Sequence, residues 1–221
     1  MTTSALAIAD ALLTTTRAVR KRLDLETPVD LSLVRDALDV AVHAPSAGAE
    51  QSWRFVVVTD SVLRRRIGDL YRDAYSKLDA ERPALQGESR ETQSLRRVRQ
   101  SSAYLAEVMG DVPVHVVACL NGRPPASGTG PVAARFYASI YPALWSLQLA
   151  LRARGLGSCL TTVGLHRAAE IAAALSLPSA WTQCALLPVA HTVGATFSSA
   201  ARQPLDEVVS WRLGDSVTTM P

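Results

Sequence analysis

Several features that would announce a function are scarce in this 221-residue chain. It has three cysteines, Cys119, Cys159 and Cys184, none in a Cys-x-x-Cys pair and each in apolar surroundings. That pattern excludes a disulfide scaffold and leads us to expect reduced core thiols in a cytoplasmic protein. The four histidines, His43, His115, His166 and His191, are scattered without an i, i+4 partner, so no metal site is expected. Aromatics make up 5% of the chain and none alternate with its arginine runs. With a net charge of only +3, this argues against a nucleic-acid partner. No apolar run is long enough to span a bilayer. The opening MTTSALAIADALL lacks a basic start and is interrupted by Asp10, so neither a membrane partner nor a leader is expected. Ser46 and Ser158 lack a nucleophile-elbow context, and the SGTGP stretch lacks the lysine of a phosphate-binding loop.

What is present is a chain that is 48% hydrophobic, rich in Ala, Leu and Val, and long enough for one sizeable core over 1–221. Ser4 can cap a helix over 5–15. Asp30 can cap another in which Val34, Ala37, Leu38, Ala41 and Val42 recur at helical spacing before Pro45. Strands are expected over 54–59, 112–120 and 183–190, with a short one in 155–163. A long helix over 133–154, bent at Pro142 and ended by Gly155, and a shorter one over 167–175 complete the pattern. Helices and strands cluster unevenly, which favours α+β with a mixed sheet flanked by helices. Residues 61–110 are polar and arginine-rich and are expected to form a helical cover over a site. The tail over 195–221 carries Leu205, Val208, Val209 and Trp211 with no hairpin partner of its own, so a second subunit is its expected target.

Three separated stretches carry the chemistry. In TRAVRKRL, Arg17 and Arg20 stand three apart and can aim at one phosphate as fork donors, although the spacing alone also fits ordinary surface cations. HAPSAGAEQSWRFVVV, residues 43–58, places small residues between a helix and a strand, where a flat ligand could approach the backbone. It fits a plain helix-to-strand turn as well. GLGSCLTT, residues 155–162, offers a second bare backbone ending in Thr161 and Thr162, and Arg202 in the tail can complete an anion site.

In this order and spacing the set resembles the FMN-dependent nitroreductase family. Members open with closely spaced Arg, Ser and Arg or Lys, matched by Arg17-Ala18-Val19-Arg20. They continue with Ala-Pro-Ser-x-x-Asn-x-Gln-Pro-Trp-x-Phe, matched by Ala44 to Phe55 with Ala49 in place of Asn and Ser52 in place of Pro. Gly155-Leu156-Gly157-Ser158 and Arg202-Gln203-Pro204-Leu205-Asp206-Glu207 match the later motifs. The resemblance implies an α+β intertwined homodimer with FMN sites at the subunit interface. It implies that Arg17, Arg20 and Arg202 hold the FMN phosphate and that Pro45, Ser46 and Ala47 lie along the ribityl chain and flavin edge. Leu160, Thr161 and Thr162 would border the ring, with a backbone N–H near Thr162 reaching its N5, and Gln148 would be a further pocket contact. By the same resemblance positions 18 and 49 would border the cofactor, with Ala18 and Ala49 where the family has Ser and Asn. The implied activity is hydride transfer from NADH or NADPH through FMN to a small acceptor such as a nitroaromatic or quinone, in ping-pong order and with no catalytic side chain. Dehalogenation, enone reduction, cleavage of flavin itself, and flavin binding without turnover stay open alternatives.

Overall fold

The computed structural model describes residues 4–124, 130–194, 196–213 and 216–218. Residues 125–129 of the loop expected over 121–131, and 195, 214–215 and 219–221 of the tail expected to meet a partner, lie outside the described residues. The Ser4 hydroxyl accepts from the Ala7 N–H at 3.2 Å and starts α1 (Ala5–Thr15). Asp30 does the same for α2 (Leu31–Ala41), which turns Val34, Ala37 and Ala41 inward. β1 (Trp53–Val58) leads into α3 (Ser61–Ala80), capped by Asp60, and then α4 (Arg90–Val108). β2 (Val114–Asn121), α5 (Gly130–Ala138), α6 (Ile140–Ala153), β3 (Leu156–Ser158), α7 (Ala168–Ala174) and β4 (Trp181–His191) follow. α8 (Leu205–Val208), β5 (Trp211–Leu213) and β6 (Ser216–Thr218) close the chain.

The main sheet has the order β1-β2-β4-β3, and all three pairings are antiparallel. The mixed character expected from the sequence is absent among the described residues. The cause is the connection between β1 and β2. Arg64 on α3 donates to the Val112 carbonyl and Tyr75 to that of Arg99, so α3 runs out and α4 runs back. A helical hairpin returns β2 beside β1 in the opposite sense, whereas a parallel neighbour needs a single crossing.

Side chains along β2 alternate between two apolar layers. Val116, Ala118 and Leu120 pack with α2 and α6, while Val117 and Cys119 pack with α3, α4 and α7. The α+β fold is thus a sheet between two helical layers, each face supplied with its own core.

Three expectations need correction. The helix expected over 133–154 is two helices parted at Ser139, so the interruption expected from Pro142 falls one turn before the proline. Pro142 offers no N–H to the Ala138 carbonyl four residues back, where α5 ends, and its ring crowds that carbonyl. The polar segment 61–110 is more than a cover: Ile67, Leu70, Tyr71, Ala74 and Tyr75 of α3 are buried in the core. Arg65 and Arg66 stay exposed, while Arg64 is half-buried and reaches the Val112 carbonyl. The tail does pair with itself, through a short antiparallel β5–β6 ladder.

Candidate functional site

The segment 17–24 is laid along one end of the sheet by backbone bonds. Val19 donates to the Ser158 carbonyl at 2.9 Å, and Asp24 donates to that of His191 at 2.8 Å. Arg22 accepts from the Val193 N–H at 2.9 Å, and Leu23 bridges Thr192. Val19 and Leu23 are buried, and the turn between them, closed by the Leu23 N–H donating to the Arg20 carbonyl at 3.3 Å, leaves Lys21 exposed and Arg20 and Arg22 half-buried. The cations of this stretch are placed by its apolar partners.

Arg17, Ala18 and Arg20 line one cavity of about 1100 Å³ together with Arg202, which returns from the far end of the sequence. Lys21, Arg22, Arg90 and Arg97 line it as well, and Glu91 is the carboxylate of its wall. None of these seven cations has an ion-pair partner among the described residues. The expected phosphate-binding arginines therefore share one opening, and the uncompensated positive charge fits a dianionic group such as a flavin phosphate. Among the described residues Arg17 donates only to the Ser198 carbonyl, at 3.4 Å, and Arg202 only to that of its neighbour Ala201, at 3.0 Å. Their remaining N–H groups are available to an anion.

Arg22 differs from the other cations. Its Nε, Nη1 and Nη2 donate to the carbonyls of Val193, Thr196 and Gly194 at 2.7, 2.8 and 2.5 Å. The same guanidinium lies over the Phe197 ring, 4.0 Å from its centroid. It clamps the root of the tail that carries Arg202.

Behind Arg20 the wall is neutral. Burial pushes the Tyr71 hydroxyl up to about 12, and burial also raises the Cys159 thiol against the pull of Arg20. Tyr71 is paired at 2.9 Å with the Thr161 hydroxyl inside the core. Thr161 also exchanges both backbone bonds with Leu186 at 2.9 Å. Its polar groups are committed to the protein. Leu160 is half-buried against the α2–α6 core, and Thr162 is left exposed, its N–H donating to nothing among the described residues.

The remaining expected site residues stand outside this cavity. Ala47 donates its N–H to the Ser139 hydroxyl at 2.9 Å, which pins the 45–49 turn to the gap between α5 and α6. Ser46 accepts from the Gln51 N–H at 3.2 Å, and Pro45 and Ala49 are exposed. Gly48, Ala49 and Gln51 all have left-handed backbones, with φ of 60°, 55° and 47°. Gln148 is buried on α6, one step beyond Tyr141 and Trp145 on the same helix face, and both aromatics are 41% exposed. One chain thus presents a cationic cavity and, outside it, a bare turn pinned next to the helix that carries two exposed aromatics.

Sequence reasoning missed Arg90, Arg97, Lys21 and the clamp by Arg22. The stripe Arg90, Ser94, Arg97 and Ser101 was visible as helical spacing, but a solvated helix face has the same pattern.

Comparison with known proteins shows the family and the fold. The model of the Nitroreductase family matches residues 13–191. The chain is 33% identical over 164 residues to 5,6-dimethylbenzimidazole synthase of Rhodospirillum rubrum, covering 72% of this chain and 71% of that one. It is 31% identical over 205 residues to NADH dehydrogenase of Thermus thermophilus, covering 84% and 87%. Among solved structures, the FMN-dependent nitroreductase NfnB from Mycobacterium smegmatis in complex with NADPH superposes with a TM-score of 0.69 at 18% identity, covering 95% of this chain and all of that one. Oxidized iodotyrosine deiodinase bound to FMN and 3-iodo-L-tyrosine gives 0.68 at 21% identity, covering 87% and 94%. At these identities the structures share the fold.

Proposed function

This chain belongs to the nitroreductase family, and we propose that it is an FMN-dependent oxidoreductase taking electrons from NADH or NADPH and delivering them to a small acceptor such as a nitroaromatic or quinone. The observation that carries this reading is the convergence of Arg17, Arg20 and Arg202 on one cavity without a carboxylate partner among the described residues. FMN, when bound, supplies the hydride and electron chemistry. The guanidiniums hold its phosphate, and the exposed Thr162 N–H is the donor free to meet the ring. No side chain is required as general acid or base. Donor and acceptor enter through the same opening in turn, which makes the order ping-pong.

The turn over 45–49 lies apart from the cationic cavity on a single chain, so we infer that a second copy brings its own turn to complete each site. The exposed Tyr141 and Trp145 on α6, and Leu205, Val208 and Trp211 in the tail, are the surfaces such a homodimer would cover. No described helix is long and apolar enough to cross a membrane, and we place the protein in the cytoplasm.

Ala18 and Ala49 remove two side-chain bonds the family makes to its cofactor. Each such bond is worth about 0.5–1.5 kcal/mol, or roughly two- to tenfold in affinity, too little to empty a site held by three guanidiniums. The same two alanines favour a second reading, flavin binding without turnover. The first test is to add FMN to the purified protein and titrate its fluorescence. Arg20→Ala should then abolish retention while circular dichroism stays native. A variant that holds FMN as tightly as before would overturn the placement. Anaerobic NADPH should bleach the yellow protein, and failure to bleach would favour the second reading.

A further inference from the structure

The cavity holds more positive charge than one cofactor phosphate explains. α4 turns Arg90, Ser94, Arg97 and Ser101 toward it, at i, i+4, i+7 and i+11, which is one face of the helix. The two arginines stand two turns apart, about 10 Å along the axis. Arg96, between them in sequence, points elsewhere and pairs with Glu88 at 2.8 Å. Arg97 donates its Nε to the Gln93 carbonyl at 3.3 Å, and Arg90 makes no side-chain hydrogen bond among the described residues. With Arg17, Arg20 and Arg202 assigned to one phosphate and Arg22 committed to carbonyls, Arg90 and Arg97 have no carboxylate partner among the described residues, Glu91 on the same wall included.

We propose that Arg90 and Arg97 form a second anion subsite, for phosphate groups of the electron donor, and that they select NADPH over NADH. The inference rests on the cofactor reading above. Two forks separated by two helical turns suit a ligand whose phosphates sit in two places. NADPH carries a pyrophosphate and a 2′-phosphate, while NADH carries the pyrophosphate alone. A neutral nitroaromatic or quinone would engage neither fork. Ser94 and Ser101 lie on the same stripe and offer hydroxyl donors beside the guanidiniums.

The experiment uses the FMN-loaded protein and the non-reducing probes NADP⁺ and NAD⁺, with dissociation constants from calorimetry. Wild type should bind NADP⁺ about tenfold or more tightly than NAD⁺, as expected for charge-assisted bonds to an added phosphate. The double variant Arg90→Gln, Arg97→Gln should bring that ratio to within about twofold, and FMN affinity should move by less than about threefold. Both residues are exposed, so the variant loses no core contact. Equal affinities in wild type, or an unchanged ratio in the variant, would overturn the subsite. So would a loss of FMN as large as that of Arg20→Ala, because it would place the α4 cations around the cofactor phosphate. A wild-type protein that quenches no flavin fluorescence before any dinucleotide is added would fail the cofactor reading instead, and the subsite with it.

Discussion

Val19 donates its backbone N–H to the Ser158 carbonyl at 2.9 Å, and that bond joins the stretch bearing Arg17 and Arg20 to the one bearing Gly157. The small residues of the later motif serve this junction. A Cβ on Gly157 would stand 2.5 Å from Thr192 Cγ2 and 3.1 Å from Val19 Cγ1. The bare backbone there is filled from inside by Val19 and Thr192.

Gly157→Ala should therefore destabilise the fold by about 1–3 kcal/mol through overpacking. It should also weaken FMN binding, since Val19 must shift and takes Arg20 with it. Urea denaturation and an FMN titration check the two effects. Stability unchanged to within about 0.5 kcal/mol would show that the strand edge yields without strain.

Ala49 holds a left-handed backbone at φ 55°, a region that costs an L-residue with an ordinary Cβ roughly 1–2 kcal/mol and is eased for Asn. Ala49→Asn should raise stability by about 0.5–1 kcal/mol and tighten FMN about two- to tenfold by restoring the missing side-chain bond. Melting temperature and dissociation constant are read on the same sample. A lower melting temperature would mean that the turn does not keep this conformation.

Local signals in the sequence carried much of the fold. Ser4 and Asp30 cap the helices expected of them, and the apolar runs around Val56, Val117 and Leu187 are strands within two residues of the expected limits. What escaped depends on partners distant in the chain. The antiparallel direction of β2 follows from α3 and α4 packing as a pair, which no local pattern encodes. The break at Ser139 is displaced from the proline that causes it, because a proline disrupts the turn before it, at the carbonyl four residues back. The β5–β6 pairing had a signal in Gly214-Asp215, a two-residue hairpin signature, but strands of three residues show no period. At the site, Arg17, Arg20 and Arg202 were legible from motif order. The burial of Thr161 was not, because its partner Tyr71 lies 90 positions away on another layer.

His115 on β2 is fully buried, with Nε2 2.8 Å from the Met109 carbonyl and Nδ1 unpartnered among the described residues. Burial holds its pKa down at about 4, so the folded protein keeps it neutral with Nε2 as donor. An unfolded histidine takes its proton near 6.5, so between these values the unfolded chain binds the extra proton. Its contribution is full above the unfolded value and is lost as pH falls through 6.5 toward 4, about 3 kcal/mol in all. Urea midpoints should therefore drop between about pH 7.5 and about pH 5, and His115→Gln should flatten that part of the slope. Carboxylates such as Asp73, held low by Arg167, act further toward acid and remain in the variant. An equal slope in both proteins would place the pH dependence elsewhere.

Arg22 makes the tail part of the site without being an anion ligand. The carbonyls of Val193, Gly194 and Thr196 accept from its guanidinium, and the Phe197 ring meets both it and Arg152, whose guanidinium carbon lies 4.5 Å from the ring centroid. Removing the clamp frees the chain that delivers Arg202. Arg22→Ala should expose 196–203 to limited proteolysis and weaken FMN about tenfold or more, as the loss of a charge-assisted contact from Arg202 requires. Arg22→Lys should not rescue either effect, because an ammonium cannot fork to three carbonyls while lying flat on a ring. Adding Arg202→Ala separates the two routes to that loss. If Arg22 acts through Arg202, the double variant binds FMN no more weakly than Arg202→Ala alone; if the two losses multiply, Arg22 meets the anion directly.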